Sequence, residues 1–577
     1  MRRETAGRAR IWPLTAALAV LLGFSAYLAA TRIYQVDEFQ NVTMARVLAQ
    51  RREAQFFTDA GAFTAALSGL DRGAARSRDL LANARLMMLA LFWLNLVLLG
   101  ACTGEALASR RGLIALLAAA TLAPLWDHGF EIRHDNPLLT CLLLTWYLLR
   151  TRPGGRRAYF AAGAVAVAAQ LFSFKSFAYM LPLSAAFLLF PPPGHRAPRR
   201  ALVLCWAAGA AAALAAARGV YGALGLWSVY LSDLRGMSAI TASARRFPPQ
   251  EPLGRLLGET PLLSALLFAA LFLVARDLKR RGAAARTWEG GLPEAALFAG
   301  AFAVLLVNPT PFSYNILLLI PFAFLVAYRY AARLASELRE RRELVPLAWT
   351  LVILFHAAPF AAATAWAAMW SSARQVRLMD AAEALTDPSK DPVYDAVGLV
   401  PTRPSAAYQW VLTSFTVHAV LDGSGPRVRD LLERSPAAVF IPNYRTDWFS
   451  TEDHVFIGRR YVPLSDDFWV LGTALPPGGG GFDVRRAGRY RISTLEDSGL
   501  YGASGANRPA PADGGIPAGS TLDGARFAGG VVALAAGRHI LKTAAACQAA
   551  AVWTGPRLER PPRLGWSDHR RLFVNWY

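Results

Sequence analysis

The chain has 577 residues, of which 54% are hydrophobic and 18% charged, with a net charge of +21 and a mean hydropathy of +0.29. That balance excludes a disordered polyelectrolyte and an ordinary soluble globule, in which about a quarter of residues are charged. The basic residues sit between apolar runs rather than along one face, which argues against a nucleic-acid partner. Four cysteines without a CxxC pair provide neither a disulfide scaffold nor a cysteine zinc site.

A helix needs about 20 mostly apolar residues to cross the hydrocarbon layer. Crossings are expected at 11–30, 84–102, 113–125, 137–149, 159–174, 177–190, 201–217, 261–275, 294–307, 315–331 and 347–365, about 11 in all. The third, fourth and ninth are short and open to extension or merging. The first run follows a basic start, yet it is longer than a signal-peptide core and nothing would replace it, so it is expected to stay. No further span is expected beyond 366.

Orientation follows from the basic residues. The connections at 1–10, 103–112, 150–158, 191–200, 276–293 and 332–346 carry 22 Lys and Arg in 72 positions, against 14 in 116 for the opposite set. The first set is therefore expected inside and the C-terminal part outside. The expected division is a membrane domain at 1–370, an outer α/β domain at 371–475 and a β-sandwich at 482–577.

Outside the membrane, residues 38–57 place Phe39, Val42, Met44, Val47 and Leu48 at helical spacing with basic residues opposite, which predicts a helix on the membrane surface. Residues 218–260 mix Trp227, Tyr230 and Leu234 with Arg235, Arg245 and Arg246, again an interfacial composition. The outer α/β domain is expected to open with a helix at 374–386 and to contain strands at Ala437–Pro442 and Phe468–Leu471. Pro476–Gly481 reads as a linker, and the alternating runs beyond it read as strands with Gly turns. Trp553 and Trp566 are sugar-stacking candidates there, with core packing the plainer reading.

Ionisable groups at a membrane boundary need partners, so each is a functional candidate. Asp37 and Glu38 follow the first crossing. Asp37 as N-cap with Gln40 three residues on is the plainer reading; a general base toward a hydroxyl acceptor is the sharper one. The segment Trp126–Pro137, WDHGFEIRHDNP, concentrates Asp127, His128, Glu131, Arg133, His134 and Asp135 in one short loop. A solvated turn with Asn136 as cap and Pro137 at the first helical position explains only those two residues. No HExxH spacing supports a metal site, although a divalent cation is left open.

Lys175, in LFSFKSF, either snorkels to the interface or offers a point charge to a phosphate. Arg218, Tyr221, Tyr314 and Asn315 are further candidates, for which packing or lipid anchoring is the plainer reading. Together these groups suit sugar transfer from a lipid-linked phosphate, in which the acceptor hydroxyl loses a proton as it attacks the anomeric carbon. A cation offsets the leaving phosphate, so no dedicated acid is required.

VDEFQN after the first crossing, EIRHDNPLL before the fourth and FSFK ending the fifth resemble the polyprenyl-phosphate-dependent GT-C glycosyltransferases. Within these the chain looks closest to the protein O-mannosyltransferase, aminoarabinose transferase (ArnT-like) and RgtA-D-like group, over roughly residues 11–475. The resemblance implies a GT-C type polytopic fold in a bacterial inner (plasma) membrane. It implies an inverting reaction and an undecaprenyl- or decaprenyl-phosphate sugar donor. It places Asp37 at the acceptor, as or beside the base, with Glu38 as neighbour, Asp135 as the acidic residue of the second motif, and Arg133 in the matching RxD position. Lys175 falls near the donor phosphate.

On this reading Asp37, Glu38 and Asp135 are catalytic, and Lys175, Arg133 and Arg218 bind the phosphate. Glu131, His128, His134, Tyr221, Tyr314 and Asn315 are candidate substrate contacts. The acceptor is an envelope glycan, lipid or protein. His134 stands where Pro or Ser is more usual, the aminoarabinose enzymes have more crossings, and the β-rich tail lies outside the family core. The tail is therefore expected to be an accessory that holds a glycan or a partner protein. The rival reading is a polytopic transporter or lipid flippase with an outer glycan-binding domain. Transporters tend to place charges at the bilayer midplane within repeated halves, and neither feature is apparent.

Overall fold

A computed structural model describes residues 2–49, 61–73, 75–151, 155–189, 197–243, 248–281, 292–308, 311–406, 420, 423–425, 427–501, 507–511, 515–545, 547–562, 564 and 572–573. Each expected crossing falls on a helical segment: Arg2–Thr31, Ser77–Cys102, Arg110–Ala120, Asp135–Trp146, Gly155–Phe172, Ser176–Leu189, Arg199–Ala223, Pro261–Arg281, Leu292–Val307, Ile320–Glu340 and the run from Val345 to Met369. Ile11–Thr31, Ser77–Cys102, Arg199–Ala223, Pro261–Arg280 and Arg342–Met369 are long and apolar enough to span a bilayer by themselves. The third expected crossing is broken. Arg110–Ala120 stops before Thr121, and the chain restarts as the short helix Ala123–His128, with Pro124 in its first turn.

Burial orders the bundle. Half of the most apolar window of Ser77–Cys102 is buried, against none of that in Arg342–Met369, so the former is central and the latter faces lipid. Gly155–Phe172 and Arg199–Ala223 pack backbone to backbone. A Cβ at Gly163 or Gly209 would strike the facing carbonyl of Trp206 or Phe160, the close approach that small residues permit in lipid.

The helix expected over 38–57 is present as Val36–Ala49, with its apolar face packed in protein rather than left open. Phe39, Val42 and Met44 are buried in protein, and Thr43 donates to the Gly398 carbonyl at 3.0 Å. Its apolar face packs under the outer domain, which hides that face from water as a lipid surface would. Residues 50–57 of that expected helix lie outside the described residues, as do Arg245, Arg246 and Trp566. In the second outer segment, helix Trp227–Ser243 brings Tyr230 against Tyr221 and Phe174, and the amphipathic helix Gln250–Glu259 follows.

The C-terminal domain is tied to the helical bundle beside the ends of the first and last expected crossings. Ile33 N–H donates to the Trp370 carbonyl at 2.9 Å and Ser372 N–H to Thr31 at 2.8 Å. Gln375 pairs with both backbone groups of Tyr34, at 2.8 and 2.9 Å. Helix Ala373–Leu385 then leads into a mixed sheet in which Val393–Tyr394 runs parallel to Val439–Phe440, and Phe468–Leu475 pairs antiparallel with the latter.

Pro476–Gly481 is not a linker. Strand Gly479–Val484 starts straight after a turn at Gly478 and Gly479, both with positive φ, which glycine adopts without strain. The last strand, Ala549–Trp553, is inserted between Phe468–Leu475 and Gly488–Tyr501, so the two expected outer units share one eight-stranded sheet. A second, four-stranded antiparallel sheet carries Gly479–Val484 and Gly537–Lys542. Trp553 is buried in the shared sheet, in accord with the core reading.

Candidate functional site

Helix Val36–Ala49 begins one residue before Asp37, so the cap differs from the expected one. Glu38, not Gln40, reaches back to accept from Gln35 N–H at 2.9 Å. Asp37 is left in the first turn with its side chain 40% exposed, directed to the Arg133 guanidinium, with which it forms a close ion pair. Glu38, expected as a second acid beside it, is fully buried. Its two oxygens take Arg85 Nη2 at 2.6 Å and Nε at 2.8 Å, and one of them also accepts from Ile132 N–H at 3.2 Å. So enclosed, the Glu38 carboxylate ties the loop to the helix Ser77–Cys102 and is shielded from solvent.

Arg85 escaped the sequence reading. It lies in the crossing Ser77–Cys102, donates to the carbonyls of Ala29, Arg32 and Ile33, and stands 3.8 Å from the Tyr34 ring centre. The signal was there: an arginine inside the apolar run LLANARLMMLALFW requires a buried partner.

The acidic loop is held from within. Asn136 Nδ2 donates to the carbonyls of His128 and Glu131, at 3.2 and 3.0 Å, and Asn41 Nδ2 to that of Ile132 at 2.7 Å. Because the helix starts at Asp135, Asn136 and Pro137 are its second and third residues rather than cap and first. Asn136 braces the loop instead of capping the helix.

Around this brace the ionisable groups form two neighbouring sets. In the first, Arg133 joins Asp37 to Asp135, its Nε 3.3 Å from Asp135 Oδ2, while Lys175 Nζ holds Asp135 Oδ1 at 2.9 Å. Asp135 is fully buried beneath these cations, whereas Lys175 keeps 22% of its side chain exposed. Tyr314 floors the set, its ring centre 3.5 Å from Arg133 Cζ and 4.7 Å from Lys175 Nζ. Asp37, Asp135, Arg133, Lys175 and Tyr314 therefore meet, although they come from four separate stretches of chain. His134 adjoins this set, with Nε2 3.9 Å from Asp135 Oδ1. Burial lowers its pKa to about 4, so it is neutral near pH 7.

The second set contains Arg32, Asp127, His128, Glu131, Arg255 and Glu259. His128 Nδ1 meets Glu131 Oε2 at 2.9 Å, and Arg32 lies 3.6 Å from Glu131 and 3.9 Å from Asp127. Arg255, on the amphipathic helix Gln250–Glu259, pairs closely with Asp127 and with Glu259 at 2.6 Å, and its Nη1 is 3.3 Å from His128 Nε2. Burial alone would raise the Glu131 pKa; the charge and hydrogen bond of His128, with Arg32 and Arg133, reverse this and bring it to about 2. Glu131 and His128, expected to touch substrate, are thus engaged with each other and with the loop. Arg32 and Arg255 were missed because their partners are remote in sequence.

Two expected members stand apart. Arg218 is exposed on the helix Arg199–Ala223 and has no ion pair among the described residues. Tyr221 is buried in a small aromatic cluster, its ring centre 5.7 Å from that of Tyr230. Asn315 shapes the turn beneath Tyr314 by donating to the Phe312 carbonyl at 3.0 Å. Among the described residues no three His, Cys, Asp or Glu side chains gather as a metal site, so the divalent cation left open by the sequence has no ligand set there.

The chain is a helical membrane bundle whose loops carry an acidic helix and an RxD segment, joined to a C-terminal domain with a β-rich part. The same fold occurs in a solved structure, ArnT from Cupriavidus metallidurans bound to undecaprenyl phosphate. The match has a TM-score of 0.51 at 14% identity and covers 75% of this chain and 93% of that one. No protein-family model matches the chain, and no curated protein matches it by sequence.

Proposed function

We propose that this membrane protein is a glycosyltransferase that moves a sugar from a polyprenyl-phosphate donor to a hydroxyl of an envelope glycan, lipid or protein on the outer face of a bacterial inner membrane. The observation that carries this reading is the chain Asp37–Arg133–Asp135–Lys175 over Tyr314. It sets one accessible carboxylate beside two cations at the membrane boundary. The ArnT likeness supports the donor class, since that protein was solved with undecaprenyl phosphate.

In this mechanism the Asp37 carboxylate takes the proton of the acceptor hydroxyl. The acceptor oxygen forms its bond to the anomeric carbon as the bond from that carbon to the phosphate oxygen breaks, with inversion. The electron pair leaves with the polyprenyl phosphate, whose added charge is offset by Lys175 and Arg133. Asp135 keeps both cations in place and takes no part in proton transfer, because it is buried beneath them. Arg133 and Lys175 are already paired with carboxylates, so a donor phosphate competes for them. As Arg133 turns toward the phosphate, it releases Asp37 to act as base.

The test is sugar transfer from a labelled undecaprenyl-phosphate sugar by the full-length protein in lipid nanodiscs. Asp37→Asn and Lys175→Gln should each reduce transfer by about 100-fold or more in a folded, inserted protein. Full transfer by Asp37→Asn would refute the base assignment.

A further inference from the structure

The turn Asn443–Trp448 of the outer domain has no role in the mechanism above, yet it is built with unusual care. Asn443 Nδ2 donates to the carbonyls of Asp395 and Ile441, at 2.6 and 3.1 Å, and Asn443 Oδ1 accepts from Arg445 N–H at 2.9 Å. Thr446 Oγ1 closes the turn, accepting from Asn443 N–H at 3.0 Å and donating to its carbonyl at 2.7 Å. The Asp395 carboxylate in turn accepts three backbone N–H bonds from Val397, Gly398 and Leu399, and Gly398 accepts from Thr43 of the acidic helix. A continuous set of hydrogen bonds thus fixes this turn to the helix that carries Asp37.

Aromatic contacts repeat the link. Phe573 stands edge-on to Phe39, two residues after Asp37, and also against Tyr444, with ring centres 5.9 Å apart in both pairs. Tyr444 is also close enough to feel Asp37. Burial raises the pKa of its phenol, Arg445 opposes that rise, and the Asp37 carboxylate adds to it.

On this turn Arg445 lies across two rings, its Cζ 5.0 Å from the centre of Tyr444 and 4.5 Å from that of Trp448, with Nε donating to Tyr444 Oη at 3.0 Å. The guanidinium is thereby fixed in direction. Unlike Arg32, Arg85, Arg133 and Arg255, it has no carboxylate within 4.0 Å among the described residues, Asp447 of its own turn included. Arginine, both rings and the adjoining Asp447 are at least partly open to solvent. A half-buried arginine whose remaining guanidinium N–H groups have no partner among the described residues, set beside two aromatic faces, is suited to a sugar that bears an anionic group. The rings pack on the pyranose and the fork binds the anion.

We infer that Tyr444, Arg445 and Trp448 form an acceptor subsite for an acidic glycan, whose carboxylate or phosphate is gripped by Arg445 while a neighbouring hydroxyl reaches Asp37. The inference deepens the proposed transferase reading and rests on it for the direction of transfer, though not for the binding itself.

The test is binding to the full-length protein in neutral-lipid nanodiscs, with oligogalacturonate, phosphorylated oligomannose and plain oligomannose as probes. An acidic probe should bind, more weakly as salt rises, and plain oligomannose should bind at least about tenfold less tightly. The carboxylate and phosphate arms tell which anion is preferred. Arg445→Ala, or Arg445→Gln if the alanine variant loses its wild-type melting temperature, should weaken the acidic probe by about tenfold or more. Arg445→Lys should recover part of the loss. Failure of both acidic probes to bind, equal binding of plain oligomannose, salt-independent binding, or an unchanged affinity in a folded Arg445 variant would each overturn the subsite. Asp37→Asn should keep acidic-probe binding while losing transfer, so failure of the catalytic reading and failure of the subsite give different results.

Discussion

Arg85 and Glu38 form a two-pronged ion pair of 2.6 and 2.8 Å, sealed from solvent, between the N-terminal half of the helix Ser77–Cys102 and the helix that presents Asp37. Removing one partner of such a pair strands a buried charge and costs about 3–5 kcal/mol. Glu38→Ala and Arg85→Met should each lower the thermal midpoint of the detergent-solubilised protein, and the double variant Arg85→Met/Glu38→Leu should recover part of the loss. A single variant with the wild-type midpoint would show that the pair does not anchor the loop.

Asp37 is the accessible carboxylate of its set, and its removal leaves Arg133 still paired with Asp135. Asp37→Asn should therefore reduce transfer by about 10²–10⁴-fold, the usual contribution of a general base, with little change in the thermal midpoint. The two measurements together separate a chemical role from a structural one.

Lys175 holds Asp135 at 2.9 Å and is partly open to solvent. Lys175→Gln should lower kcat/KM for the lipid donor by about 100-fold or more, as when a preorganised donor to a developing anion is lost. The KM for acceptor should move less. Lys175→Arg should retain part of the activity, because charge and not shape is required at a phosphate. A rise confined to the acceptor KM would move Lys175 out of the donor site.

His134 provides a pH test. Its folded pKa is lowered to about 4 from 6.5, so the unfolded chain binds a proton more readily than the folded one. The stability it supports is complete above the unfolded value and is lost as pH falls from 6.5 toward 4, by an amount on the order of 3 kcal/mol. His134→Phe should flatten the fall in thermal midpoint across this window. An identical slope in variant and wild type would assign acid sensitivity to other groups.

The C-terminal part is interleaved with the preceding domain rather than appended to it. Ala549–Trp553 pairs with Phe468–Leu475 on one side and Gly488–Tyr501 on the other, and Phe573 packs on Phe39. Deleting residues 482–577 should expose the central sheet edge and make the remaining outer domain sensitive to proteolysis, with loss of transfer. A truncated protein that resists protease and keeps full transfer would restore the accessory reading.

Length, hydropathy and the placement of basic residues were sufficient for the helical membrane architecture, because crossing a bilayer imposes a local requirement on each segment. Short motifs likewise identified Asp37, Arg133, Asp135 and Lys175, since charge at a membrane boundary is costly and so stands out. What each charge does was decided by tertiary structure. Asp37 and Glu38 are neighbours with the same functional group, yet a helix start two residues earlier than expected goes with a buried, anchored Glu38 and an accessible Asp37. The pairing of Arg85 with Glu38, of Arg255 with Asp127, and of the last strand with the outer α/β sheet joins residues far apart in the chain. Sequence periodicity reports which face of a segment is apolar; it carries no record of which distant segment will cover that face or neutralise its charge, and only the folded packing supplies that.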